Sequence, residues 1–189
     1  SKLGIIPKEA GEKITAAANL TWINWDTLKT RTEIVGYPIL PLVEQLSLSV
    51  DDGYGQYCHW GATTQDIMDT ADVLQIRKGI TLLSKDLNAI AVALSKIVKK
   101  HINTPMAGRT HLQHALPIPF GYKAATWLSS IDRHTKRLEE IKSRVFNVSF
   151  FGAAGTLASL GETDGLQTQA NLAKELNLNI PDVSWHSIR

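Results

Sequence analysis

Apolar residues recur at alternating steps of three and four along two long stretches of the chain. This spacing places them on one side of an α-helix, as in helices that pack lengthwise against others. The first stretch, from about residue 65 to 100, predicts a helix of about 50 Å at ~1.5 Å per residue. The repeating positions are Val73, Ile76, Ile80, Leu83, Leu87, Ile90, Leu94 and Ile97 in the first stretch, and Ala124, Trp127, Ile131, His134, Leu138, Ile141, Val145 and Val148 in the second.

The rest of the chain predicts shorter helices. One spans residues 6–20, with Pro7 in its first turn, and one or two more cover residues 28–48, broken near Gly36. Another spans residues 162–176, after the glycine-rich apolar connection at 150–161. No alternation typical of a strand stands out. The predicted fold is therefore all-α, built on long helices that lie antiparallel.

The long helices exceed what a compact chain of 189 residues needs. Helical seams of this length find their partners in a bundle, often in another subunit of an oligomer. We expect an N-terminal helical segment at 1–58, and at 59–189 part of a central long-helix bundle domain. We also expect the sequence to be part of a larger protein.

Composition removes several classes of function. With 43% hydrophobic residues and a formal net charge of +2, the chain resembles a soluble protein without a nucleic-acid or membrane partner. The single cysteine, Cys58, excludes an internal disulfide framework and fits a reducing compartment. No apolar run reaches the length of a membrane span, and the first residues do not form a signal peptide. We expect a cytoplasmic protein.

The connection between the long helices, Pro105 to Pro119, carries the first candidate site. His111 is suited to general acid–base catalysis near neutral pH, and Arg109 to pairing with a carboxylate. His114 would share a face with His111 if a helical turn formed, but no third ligand supports a metal, and we predict none. Alternatively, these side chains only cap helix ends. The polar residues of this connection are Arg109, Thr110, His111, Gln113 and His114.

The second candidate site precedes the first long helix. Thr63 or Thr64 would cap that helix, and a helix N-terminus with free amides is suited to binding a carboxylate or phosphate. The alternative is a plain N-cap in which Asp66 and Asp69 favour the helix dipole. The candidate residues are His59, Thr63, Thr64, Gln65 and Asp66. Of the other histidines, we interpret His134 as a core or interface residue and His101 and His186 as surface or helix-end residues.

Two motifs together resemble a known family. HWGATTQDIMDTA at 59–71 and GRTHLQHALPIPFG at 108–121 are similar to the first two conserved regions of the fumarase/aspartase superfamily. Within it, they resemble the branch that holds adenylosuccinate lyase and 3-carboxy-cis,cis-muconate cycloisomerase. The resemblance covers most of the chain, from about residue 3 to 178, and the two motifs occur in the family's order.

The resemblance implies a long helical bundle that assembles as a homotetramer, with each active site shared by three subunits. Such enzymes abstract a proton next to a carboxylate and then eliminate an amine or oxygen group without a cofactor. His59, Thr63, Thr64, Gln65 and Asp66 would bind a di- or tricarboxylate substrate. Arg109, Thr110, Gln113 and His114 would contact the same substrate, Gln113 and His114 being the weaker candidates for orienting the site. His111 would be the general acid.

Three differences bear on what the resemblance implies. The serine-bearing loop that supplies the base in this family is not found in the sequence, so we expect a fragment without the C-terminal half, inactive alone. Tyr37 and Pro38 stand where adenylosuccinate lyases carry a His-Asp pair, which favours a cycloisomerase-like enzyme, as does GAAGTLASLG at 152–161. Some bacterial cycloisomerases, however, have Trp in place of His111, so both branches stay open. A hypothesis of another class is an inactive helical oligomerisation module.

Overall fold

The computed structural model of the chain describes residues 1–188, without the side chains of residues 162, 187 and 188. It forms two compact units. The first contains residues 1–73 and 146–188, and the second contains residues 74–145. The domain boundary predicted at residue 58 stays a prediction. In the described part of the chain, no helix is both long and apolar enough to span a bilayer.

Three short helices open the first unit, α1 (Lys8–Ala17), α2 (Trp25–Val35) and α3 (Ile39–Ser49). The side chain of Asn24 caps α2 by accepting an amide hydrogen bond from three residues further on. Gly36 ends α2 at φ 91°, a left-handed conformation that glycine adopts without a steric penalty. The predicted break near Gly36 is thus confirmed.

The long helices also begin and end close to the predicted residues. They are α4 (Thr64–Lys100) and α5 (Phe120–Val145), and α6 (Glu162–Leu176) has the predicted bounds. Short 3₁₀ turns occupy Asp51–Tyr57, Ala158–Leu160 and Trp185–Ile188. The structure is mostly helical, as the apolar periodicity predicted.

Within the second unit, α4 and α5 run antiparallel, and their apolar seams are only partly covered. Ile80 is 6% exposed, whereas Ile90 and Trp127 are 44% and 45% exposed. His134 is exposed and lies 3.3 Å from a guanidinium nitrogen of Arg137, so it is not a core residue, and its other interpretation as an interface residue stays a prediction. The exposed seam positions imply that further helices cover them, and this stays a prediction.

One sequence expectation, that no strand is present, was wrong. The connection between the long helices is an antiparallel hairpin of β1 (Pro105–Thr110) and β2 (Gln113–Pro119). β2 is exposed at six of its seven residues and β1 at three of its six, and neither strand alternates between exposed and buried positions. The hairpin therefore lacks the apolar alternation by which a half-buried strand is detected. The prolines favour extended backbone, as expected, and the two extended halves pair with each other.

The core of the first unit surrounds a segment without helical structure, residues 146–152. The amide of Val148 donates to the carbonyl of Asn179 at 2.9 Å, and the side chain of Gln169 in α6 donates to the carbonyl of Phe150 at 2.8 Å. From α4, the hydroxyl of Thr70 both donates to the carbonyl of Ser149 at 2.9 Å and accepts from its amide at 3.0 Å. Side chains from two helices therefore take the place of neighbouring strands. Buried apolar residues around the segment are Val148, Phe150, Leu157, Leu160 and Ala173.

We predict that Thr70→Val destabilises the protein by roughly 2–4 kcal/mol, because two buried backbone groups of Ser149 lose their partner. Thr70→Ser keeps the hydroxyl and should cost about 1 kcal/mol, from the lost methyl group. Urea titrations of both variants measure the free energy of unfolding. A larger loss in Thr70→Ser than in Thr70→Val would show that packing by the methyl group, and not the hydroxyl, is what matters.

Candidate active site

The first group of candidate residues lies around the start of α4. The helix begins at Thr64, so Thr63 holds the capping position, as predicted. The amide of Thr63 donates to Oδ2 of Asp66 at 2.9 Å, which is the backward half of a capping box. Thr63, Thr64 and Gln65 are half-buried. The first turn of a helix leaves further amides without helical partners, and these can bind an anion.

Asp66 is the most enclosed of the candidate residues, with 1% of its surface exposed. Besides the Thr63 amide, its carboxylate accepts hydrogen bonds from the amides of Phe151 at 2.8 Å and Gly152 at 3.1 Å. Its oxygens therefore face the interior of the unit. Any effect of Asp66 on a ligand passes through the backbone that it holds, so in this geometry it shapes the site without lining it.

His59 precedes the helix in a loop that packs on the glycine-rich stretch. It adopts φ 61°, a left-handed conformation that is uncommon for a residue with a side chain and that recurs at functional sites. Burial lowers the pKa of His59 from its ordinary value of 6.5, and the nearby carboxylate of Asp66 partly offsets this effect. His59 therefore favours the neutral form, which can accept a proton or a hydrogen bond.

Gln65 lies on the first turn of α4. Its side-chain amide donates to a carboxylate oxygen of Asp69 at 2.9 Å, the i,i+4 contact that neighbouring turns of a helix allow. This contact fixes the side chain along the helix. The described residues contain no cluster of three or more His, Cys, Asp or Glu that could hold a metal ion.

The second group of candidate residues lies on the hairpin. Arg109 pairs with His114 across the strands, Thr110 pairs with Gln113, and His111 stands in the two-residue turn between them. Opposite residues share a face and adjacent ones alternate, so Arg109 and His114 project from one face and Thr110 and Gln113 from the other. The helical turn that would have aligned His114 with His111 is absent. All five side chains are exposed.

Two backbone features fix the shape of this hairpin. The register shifts between Ala107 and Arg109, which is a bulge. A Cβ atom on Gly108 would lie 2.5 Å from the carbonyl oxygen of Leu116, so the close approach of the strands there requires glycine. In the turn, Leu112 adopts φ 57° and is 92% exposed. A left-handed leucine costs of order 1 kcal/mol, and such strain is common at functional sites.

The structure brings the candidate residues together in two groups, one in each unit. Reasoning from the sequence missed the burial of His186, which was interpreted as a surface or helix-end residue but is 6% exposed. Its Nε2 atom lies 2.9 Å from Oδ1 of Asp66. Reasoning from the sequence also missed the amides of Phe151 and Gly152, which donate to the Asp66 carboxylate. Because 120 positions separate His186 from Asp66 in the sequence, no local pattern could have joined them.

Comparisons with known proteins find that the chain is similar to lyases and related enzymes. A family model described as "Lyase" matches residues 4–187. The crystal structure of a fumarate lyase from Mesorhizobium sp. BNC1 is 60% identical, with a TM-score of 0.94 over all of this chain and 44% of its own. Trans-aconitate decarboxylase 1 of Mycosarcoma maydis is 46% identical over 98% of this chain and 37% of its own length.

Two further relatives represent the two branches considered above. A 3-carboxy-cis,cis-muconate cycloisomerase of Pseudomonas aeruginosa is 40% identical over 100% of this chain and 42% of its own length. An adenylosuccinate lyase of Pyrococcus abyssi is 41% identical over 86% of this chain and 36% of its own length. The chain thus spans about two fifths of the length of the relatives it matches.

The lowered pKa of His59 predicts a pH dependence of stability. Below pH 6.5 the unfolded chain protonates this histidine while the folded protein resists protonation, so the contribution of His59 is complete above pH 6.5. It is lost as the pH falls from 6.5 through the lower pKa of the folded state. His59→Asn should remove this loss, and asparagine tolerates the left-handed backbone.

The measurement compares thermal unfolding midpoints of wild type and His59→Asn at about pH 7.5 and about pH 5.5. The wild type should lose more on acidification than the variant does. An NMR titration of the imidazole gives the pKa directly, and a value at or above the ordinary one would contradict the prediction.

Proposed function

Because this chain belongs to the fumarase/aspartase superfamily of lyases, we propose that the whole protein eliminates a group from the carbon β to a carboxylate. The reaction would begin by abstraction of a proton next to the carboxylate, and the reverse addition would follow the same path. The substrate would be a di- or tricarboxylate. The reaction would resemble that of a 3-carboxy-cis,cis-muconate cycloisomerase. No cofactor enters this scheme.

The observation that carries the proposal is the hairpin, which presents His111 in a two-residue turn between paired strands. His111 would give its proton to the leaving group as the general acid. Arg109 and His114 share a face of the hairpin and would bind a carboxylate, because a guanidinium can hold both oxygens at once. Thr110 and Gln113 lie on the other face and would orient the substrate or support the turn.

The start of α4 would bind another carboxylate of the substrate. The hydroxyls of Thr63 and Thr64 and the free amides of the first turn are suitable donors, with Gln65 beside them. In the transition state, negative charge builds up on the carboxylate next to the carbon that loses its proton. Donors fixed in place before the reaction stabilise that charge more than mobile water does.

We propose that a homotetramer completes each site, with different subunits contributing the α4 start and the hairpin. The exposed apolar positions of α4 and α5 support this assembly, because such faces are usually covered by other helices. The catalytic base would come from a serine-bearing glycine-rich loop outside these 189 residues. A full-length protein that lacked such a loop would favour the alternative of an inactive oligomerisation module.

Two substrate classes remain, and an assay separates them. The names of two relatives, trans-aconitate decarboxylase and the cycloisomerase, indicate unsaturated carboxylates with several carboxyl groups. Adenylosuccinate lyase is the alternative, supported by a relative at 41% identity, but Tyr37 and Pro38 replace its His-Asp pair.

We would follow lactone formation from 3-carboxy-cis,cis-muconate and fumarate release from succinyl-amines by absorbance. A full-length oligomer inactive on the whole panel would contradict the proposed elimination.

We predict that His111→Ala in the full-length protein lowers turnover by about 100-fold or more, the scale of a lost general acid. His114→Ala on the same hairpin is the matched control and should lower turnover by less than about tenfold, since it removes one substrate contact. Steady-state kinetics on the substrate found above measure both. Normal turnover in His111→Ala would remove this histidine from the mechanism.

A further inference from the structure

A buried histidine stands behind the start of α4. The imidazole of His186 has Nε2 at 2.9 Å from Oδ1 of Asp66, although the pair is not aligned as a hydrogen bond. Its ring meets the ring of Phe151 edge to face, with centroids 5.1 Å apart. Both His186 and Asp66 are nearly inaccessible to solvent, at 6% and 1% exposed. A carboxylate so enclosed interacts strongly with any polar group this close.

Close packing against Gly155 holds the imidazole of His186 in this position. A Cβ atom on Gly155 would lie 3.5 Å from Cβ of His186 and 2.4 Å from the hydroxyl of Ser184, so a larger residue would push this segment away. Within the described residues, Nδ1 of His186 has no hydrogen-bond partner. Among the described residues, the charged group recorded against the imidazole is the carboxylate of Asp66.

The two oxygens of Asp66 have different tasks. Oδ2 accepts the amides of Thr63 and Gly152, and Oδ1 accepts the amide of Phe151 and faces His186. Rotation of the carboxylate would break the contact with Thr63 and release the loop before the helix. A group that holds Oδ1 in place consequently also holds the amide and hydroxyl of Thr63.

We propose that His186 is a positioning residue for the anion site at the start of α4, acting through Asp66. This inference rests on the proposed function, because that function makes Thr63 and Thr64 substrate donors. His186 does not touch the substrate. It fixes the orientation of the Asp66 carboxylate, and thereby the loop that carries these donors. Loss of its nitrogen should weaken binding of an anion at a site that it does not contact.

The test uses variants of the full-length protein with matched shapes. His186→Gln keeps an N–H that can reach Asp66, and His186→Met has nearly the same length without a donor. His186→Phe keeps the ring contact with Phe151 and repeats the loss with different packing. The control is Gln169→Leu, which removes a buried 2.8 Å hydrogen bond to the carbonyl of Phe150 on the same segment without touching Asp66.

Two readouts are measured for each variant. Hydrogen exchange by mass spectrometry follows the peptide that contains residues 59–66, and calorimetry gives the Kd of fumarate as a dianion probe. We expect His186→Met and His186→Phe to speed exchange in this peptide and to raise the Kd by about fivefold or more. His186→Gln should restore most of both. Gln169→Leu should lower the unfolding temperature while leaving exchange in this peptide and the Kd near wild type.

The proposal is overturned if His186→Gln behaves like His186→Met, or if Gln169→Leu loosens the 59–66 peptide as much as they do. Either result would mean that His186 only stabilises the core. Failure of the wild type to bind fumarate would count against the proposed function itself. The exchange data would still decide whether His186 holds Asp66 and the Thr63 loop.

Discussion

The first unit depends on keeping one buried carboxylate satisfied. An ionised group inside a protein loses several kcal/mol of hydration, and the fold tolerates Asp66 only because three amides and an imidazole surround it. Each hydrogen bond to a charged acceptor contributes about 1.5–3 kcal/mol. These partners come from the loop before α4, the segment at 151–152 and the C-terminal stretch. One side chain thereby connects three distant parts of the chain, and these contacts hold the start of α4 in place.

The periodicity of apolar residues predicted the helices well, because a seam repeats over many turns and each turn adds to the signal. The end of α2 was also predicted, because glycine at position 36 is typical of a helix C-terminus. The hairpin was missed because its strands show no apolar periodicity and its turn lacks the residues that are typical of hairpins. Its second strand is exposed at six of seven residues, and Leu112 occupies a turn position at φ 57° where glycine or asparagine is usual. The prolines indicated extended backbone but not the pairing.

The candidate site was predictable as far as its residues are neighbours in sequence. His59 to Asp66 and Arg109 to His114 each form a short run, and the structure keeps each run together. What the sequence could not supply was the direction of each side chain. Asp66 was expected to face a ligand but turns inward, because Phe151 and Gly152 present amides there. His186 was interpreted as a surface or helix-end residue, since its burial depends on contacts across 120 positions.

Charge balance explains why a divided site suits the proposed chemistry. A helix N-terminus offers about half a positive charge, and the Thr63 amide is already committed to Asp66. A substrate carboxylate about 6 Å from the charge of Asp66 would be repelled by about 3 kcal/mol at an effective dielectric constant of about 20. The start of α4 can therefore orient a carboxylate but cannot neutralise a dianion. That task requires a cation, and the hairpin carries Arg109, which pairs with His114 across the strands. If neighbouring subunits bring these groups together, as we propose, each supplies what the other lacks, and neither unit alone would bind the substrate tightly.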